Sequence, residues 1–203
     1  MPVSVQELSD DHVRLWDERV QPVINQLGGR ADVGWRWRRI RAVCRWAGAL
    51  QEPAGFAVVV MNHGEALPEV PCALVQLVAR LPALDDPAEN AVFLWYLADA
   101  PEKALGQMLA PPLVPKKLGT FGLDVAVSYS FRLLLRGRTS LHADPHGGER
   151  LSDWYAARGM LKYDAKEPRP SLFRVNDGRY FYFTPEAALQ WSQELDEFRK
   201  PGA

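Results

Sequence analysis

Apolar residues recur along this chain with two different periods. Val13, Trp16, Val20, Val23, Ile24 and Leu27 fall three or four residues apart, the spacing of one helical face. Ser9 or Asp10 suits the cap before this run, and Gly28-Gly29 suits its end. Pro22 within it predicts a kink or two short helices. The preceding PVSVQELS alternates weakly and predicts a first strand. A second helix is expected over 33–50, with Trp37, Ile40, Val43, Cys44 and Ala47 as its apolar stripe.

Three strand-like runs follow: GFAVVVM (55–61), CALVQLVARL (72–81) and AVFLWYLADA (91–100). The third is almost unbroken in apolar residues, as expected of a strand covered on both faces. Four prolines and three glycines in 101–122 then predict a long irregular connection, with a turn or two of helix in EKALGQML. Next comes a helix over 123–137. Leu123, Val127, Ser130, Phe131 and Leu134 share one side, Asp124 lies near its start, Arg132 and Arg136 near its end, and Gly137 closes it. The stretch TSLHADPHGGERLSDWYAARGM reads as a strand ending at His142, a turn, and a helix from about Gly147. A proline-rich link, a strand SLFRV, a DGR hairpin turn and a strand YFYF complete the sheet. The last helix is capped by Thr184, has Pro185 in its first position, and turns Ala188, Trp191, Leu195 and Phe198 inward.

The 203 residues, 47% hydrophobic and 24% charged, suit one globular domain. Its expected parts are an N-terminal strand and two helices (1–54), a three-stranded meander (55–100), a long loop (101–122), and a helix–strand–helix with a C-terminal hairpin and helix (123–203). Cys44 and Cys72 stand in unlike contexts, which argues against a disulfide scaffold or a thiolate zinc site. No basic-then-apolar leader opens the sequence, and no run approaches the ~20 apolar residues of a membrane span. A cytoplasmic protein without a membrane partner is the expectation.

Arg36, Arg38, Arg39, Arg41 and Arg45 load the second helix with positive charge. With a net charge of −1 overall, these arginines are expected to pair with nearby acids, so nucleic acid is an unfavoured partner. Trp35 and Trp46 are candidates either for burial or for an interface such as a homodimer. His142, Asp144 and His146 alternate like ligands on a strand, but Pro145 and Gly147-Gly148 turn the chain there, so no metal is expected.

The element order, with AVFLWYLADAP as central strand, KKLGTFG before an amphipathic helix and an aromatic–Gly–apolar ending at YAARGM, resembles the GNAT N-acetyltransferase superfamily. The resemblance covers about 56–164. It implies an α/β fold (α+β, mixed sheet) of the acyl-CoA N-acyltransferase kind, with helices flanking the sheet. It further implies transfer of an acetyl group from acetyl-coenzyme A to an amine on a small molecule or protein. Backbone of Tyr96, Leu97 and Ala98 would lie beside the cofactor. Lys116, Lys117, Gly119, Thr120 and Gly122 would meet its pyrophosphate, since a helix N-terminus presents free N–H groups to anions. Tyr155 matches the acid that protonates the leaving thiolate. Phe121 departs from the family pattern, where a small residue stands. The central strand lacks the usual acid, with Trp95 in its place, so Asp99, Glu89 and His142 are the candidate bases. These two departures leave open an alternative, a catalytically degenerate GNAT-like binding or accessory protein.

Overall fold

The computed structural model describes residues 3–47, 51–61, 69–168 and 175–199. Its seven strands form one mixed sheet. They are β1 (Val3–Glu7), β2 (Pro53–Met61), β3 (Glu69–Pro82), β4 (Asn90–Asp99), β5 (Thr139–His142), β6 (Leu161–Lys162) and β7 (Tyr180–Phe183). The order across the sheet is β1-β2-β3-β4-β5-β7-β6, with β4 and β5 parallel and the other pairs antiparallel. The helices are α1 (Asp10–Leu15), α2 (Gln21–Leu27), α3 (Trp37–Ala47), α4 (Glu102–Leu105), α5 (Leu118–Arg132), α6 (Gly148–Ala156) and α7 (Pro185–Arg199). Among the described residues no helix is long and apolar enough to cross a membrane. Strand SLFRV lies outside the described residues except for Val175, which is not in a strand; the partner of β7 is the short β6.

Around Pro22 the helical run divides, as expected, into two short helices, α1 and α2, with a π turn between them. Proline supplies no N–H, so a regular ladder would lose a bond there. The chain instead widens into a π turn over Trp16–Val20, and Gln21 N–H donates to the Trp16 carbonyl. Ser9 caps α1 in a reciprocal box, with His12 N–H donating to Ser9 Oγ and Ser9 N–H donating to His12 Nδ1. The π turn also aims polar atoms inward. Trp16 Nε1 donates to Gln21 Oε1 (3.3 Å), and Gln21 Nε2 donates to the Asp32 carbonyl (2.8 Å) and to Asn25 Oδ1 (3.1 Å). Asn25 Oδ1 also accepts from Gly34 N–H. Loop 28–36 is thereby tied to the helix before it.

Trp16 and Trp37 are fully buried and meet edge to face at 6.2 Å. Three expectations about helix faces are corrected. α3 starts at Trp37, since 31–34 form a turn and 35–36 are irregular, and Val43 on its expected apolar stripe is 41% exposed. α5 starts at Leu118, five residues earlier than the period suggested, so Asp124 is buried within it. It ends at Arg132, leaving Arg136 outside and Leu134 88% exposed.

The early start has a packing cause. A Cβ on Gly122 would fall 2.2 Å from Leu97 Cδ1, so this glycine lets α5 lie directly on β4. The apolar run FLWYL contains a bulge: Leu77 pairs Leu94 while Gln76 pairs Tyr96, leaving Trp95 as the extra residue.

Candidate active site

β4 and β5 pair only over Val92–Leu94 and Thr139–Leu141. Past that point the Trp95 bulge bends β4, the strands separate, and a cavity of 560 Å³ opens between them. Its size is that of a small-molecule site, and ligands of open α/β sheets gather at such strand ends. One wall is loop 28–36, which contributes Arg30, Asp32 and Trp35. The other is the start of α5 and the inward face of α6.

Of the residues expected from sequence, the cavity brings together Tyr155, Asp99, His142, Tyr96, Leu97, Lys117, Gly119 and Thr120. Ala98 is buried and Lys116 exposed, and neither lines it. Gly122 does not line it either, being occupied against Leu97. Glu89 is exposed just before β4, at the strand end opposite the cavity. Phe121 packs against the core and leaves the cavity open.

Of KKLGTFG only the two lysines precede the helix; Leu118 onward is its first turn. Lys117 is the N-cap of α5, in the left-handed region (φ 59°, ψ 32°), and no side chain caps the helix. Leu118, Gly119 and Thr120 therefore open α5 at the cavity wall with their N–H groups unclaimed by a capping side chain. A Cβ on Gly119 would come within 3.3 Å of the Trp154 ring. These features suit an anion, because helix N-termini carry partial positive charge.

Arg158 adds a full charge beside them. Its guanidinium lies 3.5 Å over the Trp154 ring, donates to the Trp154 carbonyl (2.8 Å), and reaches Thr120 Oγ1 at 3.3 Å. Arg158 lies in the turn just past the end of α6, where its N–H donates to the Tyr155 carbonyl (3.0 Å).

Tyr155 is buried against Trp154 (5.1 Å) and Phe181 (5.6 Å). Burial pushes its phenol well above the ordinary tyrosine value; Arg158 opposes this, while Asp144 and Asp99 add to it. The phenol thus holds its proton firmly. His142 packs on Tyr180 at 4.6 Å, and its Nε2 lies 3.0 Å from both Asp177 oxygens. Burial raises the Asp177 carboxyl, but the His142 hydrogen bond and Arg179 N–H outweigh it and hold the group below its usual value.

Asp99 has a different neighbour. Arg30 donates to Asp32 through Nε and Nη2 (both 2.8 Å) and to the Asp99 carbonyl and Oδ1 (both 2.8 Å). Burial opposes the Arg30 charge, but the two carboxylates hold its pKa above the ordinary arginine value. Asp99 Oδ2 faces Gly119, 3.8 Å from where a Cβ would sit, so Arg30 offsets a carboxylate placed near the anion-binding end.

His146 bonds Asp144 (3.0 Å) and His142 bonds Asp177, so the alternating trio does not converge. No cluster of three or more metal-binding side chains occurs among the described residues. Cys44 and Cys72 are buried away from the cavity, and burial pushes the Cys72 thiol up to about 12 despite a backbone hydrogen bond. Arg30, Asp177 and Arg158 were not anticipated. Asp177 and Arg30 reach partners 35 and 69 residues away, which no local pattern announces.

The architecture is that of the GNAT acetyltransferases. A GNAT-family acetyltransferase from Staphylococcus aureus Mu50 superposes with a TM-score of 0.57 over 89% of this chain and 98% of its own, at 11% identity. AtaTR bound with acetyl-coenzyme A gives 0.53 over 93% and 96%, also at 11% identity. Arabidopsis thaliana NAA60 in complex with acetyl-coenzyme A gives 0.51 over 90% and 98%, again at 11% identity. At such identities the likeness is one of fold. No family model and no curated protein sequence matches the chain.

Proposed function

We propose that the whole chain acts as one acetyl-coenzyme A-dependent N-acetyltransferase whose acceptor is an amine on a small molecule or protein. The observation that carries this reading is the joint opening of the uncapped α5 N-terminus, Arg158 and Tyr155 onto the cavity between β4 and β5. Solved structures of the same fold with acetyl-coenzyme A support it. The residues fit that ligand: Gly119 leaves the helix N-terminus open, and Lys117 and Arg158 supply charge for a pyrophosphate. Acetyl-coenzyme A supplies the thioester whose acetyl group passes to the amine nitrogen.

In this reading His142 takes the amine proton. Its Nε2–H is held by Asp177, which leaves the Nδ1 lone pair as the basic site. Tyr155 gives its phenolic proton to the leaving sulfur. Backbone of β4 beyond Leu94, released from β5, lies along the thioester arm and offers an N–H to the acetyl carbonyl. Asp99, occupied by Arg30, orders loop 28–36 against β4.

Calorimetry with acetyl-coenzyme A tests the reading directly, and no heat of binding at millimolar ligand overturns it. Arg158→Ala is expected to weaken binding by about tenfold or more, since a hydrogen bond to a charged group contributes about 1.5–3 kcal/mol. His142→Gln should lower kcat by about 100-fold or more with little change in KM for acetyl-coenzyme A. Asp177→Asn should lower kcat by about tenfold alone and add nothing to His142→Gln, because groups that act as a unit are non-additive. Additive losses would remove Asp177 from the proton path.

A further inference from the structure

We propose that the exposed face of α3 is a binding surface for single-stranded nucleic acid. The acid pairing expected of this helix is not what folds. Arg41 pairs with Asp10. Arg36, Arg38, Arg39 and Arg45 are exposed and have no carboxylate partner among the described residues. Trp37, Ile40 and Cys44 face the core, so Arg38, Arg39, Ala42, Val43, Arg45 and Trp46 share the outer side of the helix. Trp46 is 84% exposed on the same helix as Arg38, Arg39 and Arg45.

Burial of Trp16 and Trp37 shows that this fold has room for indoles where packing needs them, and Trp46 serves no such need. A flat ring on the same helix as these guanidiniums matches a ligand with π faces and phosphates at short intervals. Bases stack on such a ring, and arginines neutralise the adjoining phosphates. An anionic membrane is the weaker match, because interfacial helices bind in proportion to apolar area and this face offers only Trp46 and Val43 beyond a single alanine. An acidic protein uses the arginines but not the ring. The charge is local: a chain with net −1 that carries three arginines on α3 and a fourth, Arg36, just before it, without acid partners among the described residues, is acidic elsewhere, which orients a polyanion toward α3. The surface adjoins the cavity, since α3 begins two residues after the cavity-lining Trp35, but its ligand chemistry does not depend on acetyl transfer.

Fluorescence anisotropy of a labelled 15-nucleotide oligouridine, titrated with the full chain at several salt concentrations, tests the proposal. The expected slope of log affinity against log salt is about −3 for four phosphate contacts on a single strand. The combined variant Arg38→Ala, Arg39→Ala, Arg45→Ala should bring that slope to about −1. Trp46→Ala should weaken binding by about fivefold or more while leaving the slope unchanged. Thermal melting of each variant verifies that the fold is retained. Absence of binding at 50 mM salt overturns the proposal, as does a slope that the triple variant does not alter. Equal or tighter binding to polyglutamate, or to phosphatidylserine vesicles, overturns it in favour of a protein or membrane partner.

Discussion

Tyr155→Phe should abolish most acetyl transfer while leaving the protein folded and able to bind acetyl-coenzyme A. The change removes one oxygen from a buried ring whose packing on Trp154 and Phe181 is otherwise kept. A general acid contributes about 100- to 10,000-fold to rate, and kcat should fall by that factor. The surroundings argue for a donor. Burial raises the phenol's pKa, so the proton is present throughout the neutral range and beyond the point where a free tyrosine ionises. The sign gives a second measurement. Because the shift is upward, ionisation of Tyr155 should cause no loss of kcat between about pH 8 and pH 10, where unperturbed tyrosine begins to titrate. Full activity in the Phe variant, with a substrate that the wild-type chain acetylates, would return Tyr155 to a purely packing role.

Gly137→Ala should be among the most destabilising single changes in the chain. Gly137 follows α5 with φ 80°, in the left-handed region. An added Cβ would lie 2.6 Å from Ala188 Cβ and 2.6 Å from Phe131 Cζ, so it meets α7 on one side and α5 on the other. Left-handed strain costs about 1–2 kcal/mol and overpacking about 1–3 kcal/mol, together on the order of 2–5 kcal/mol. For a chain of this size that lowers the melting temperature by roughly 5–20 °C. An unchanged melting curve would mean that the α5–α7 contact gives way without cost. The residue is also the hinge on which β5 enters the sheet: Ser130 Oγ donates to the Arg138 carbonyl (2.8 Å) and Thr139 Oγ1 to the Gly137 carbonyl (3.1 Å).

Much of the scaffold was legible because its signals are local. The apolar runs around Val58, Val75 and Leu94 became three adjacent strands, and Ser9 became a cap. His142 ends β5, and the Asp144-Pro145 turn leads into α6 as its polar residues suggest. Boundaries failed where packing replaced propensity. The residues KKLGTFG look like a loop because glycine disfavours helix, yet Gly122 enters α5 so that Leu97 has somewhere to go. Leu134 fits the helical period of α5 but lies beyond its end, on the surface.

Sequence by itself determined the element types and their order as far as α6, and the position of Tyr155 on that helix, because hydrophobic period and capping chemistry act over a few residues. Tertiary structure alone decided which charges are answered and which are not. Arg30 meets Asp99 across 69 residues, His142 meets Asp177 across 35, and on α3 Arg41 meets Asp10 while Arg38, Arg39 and Arg45 meet no acid among the described residues. Ion pairs and hydrogen bonds form between groups a few ångströms apart in space, and chain separation carries no information about that distance once the sheet has brought distant strands together.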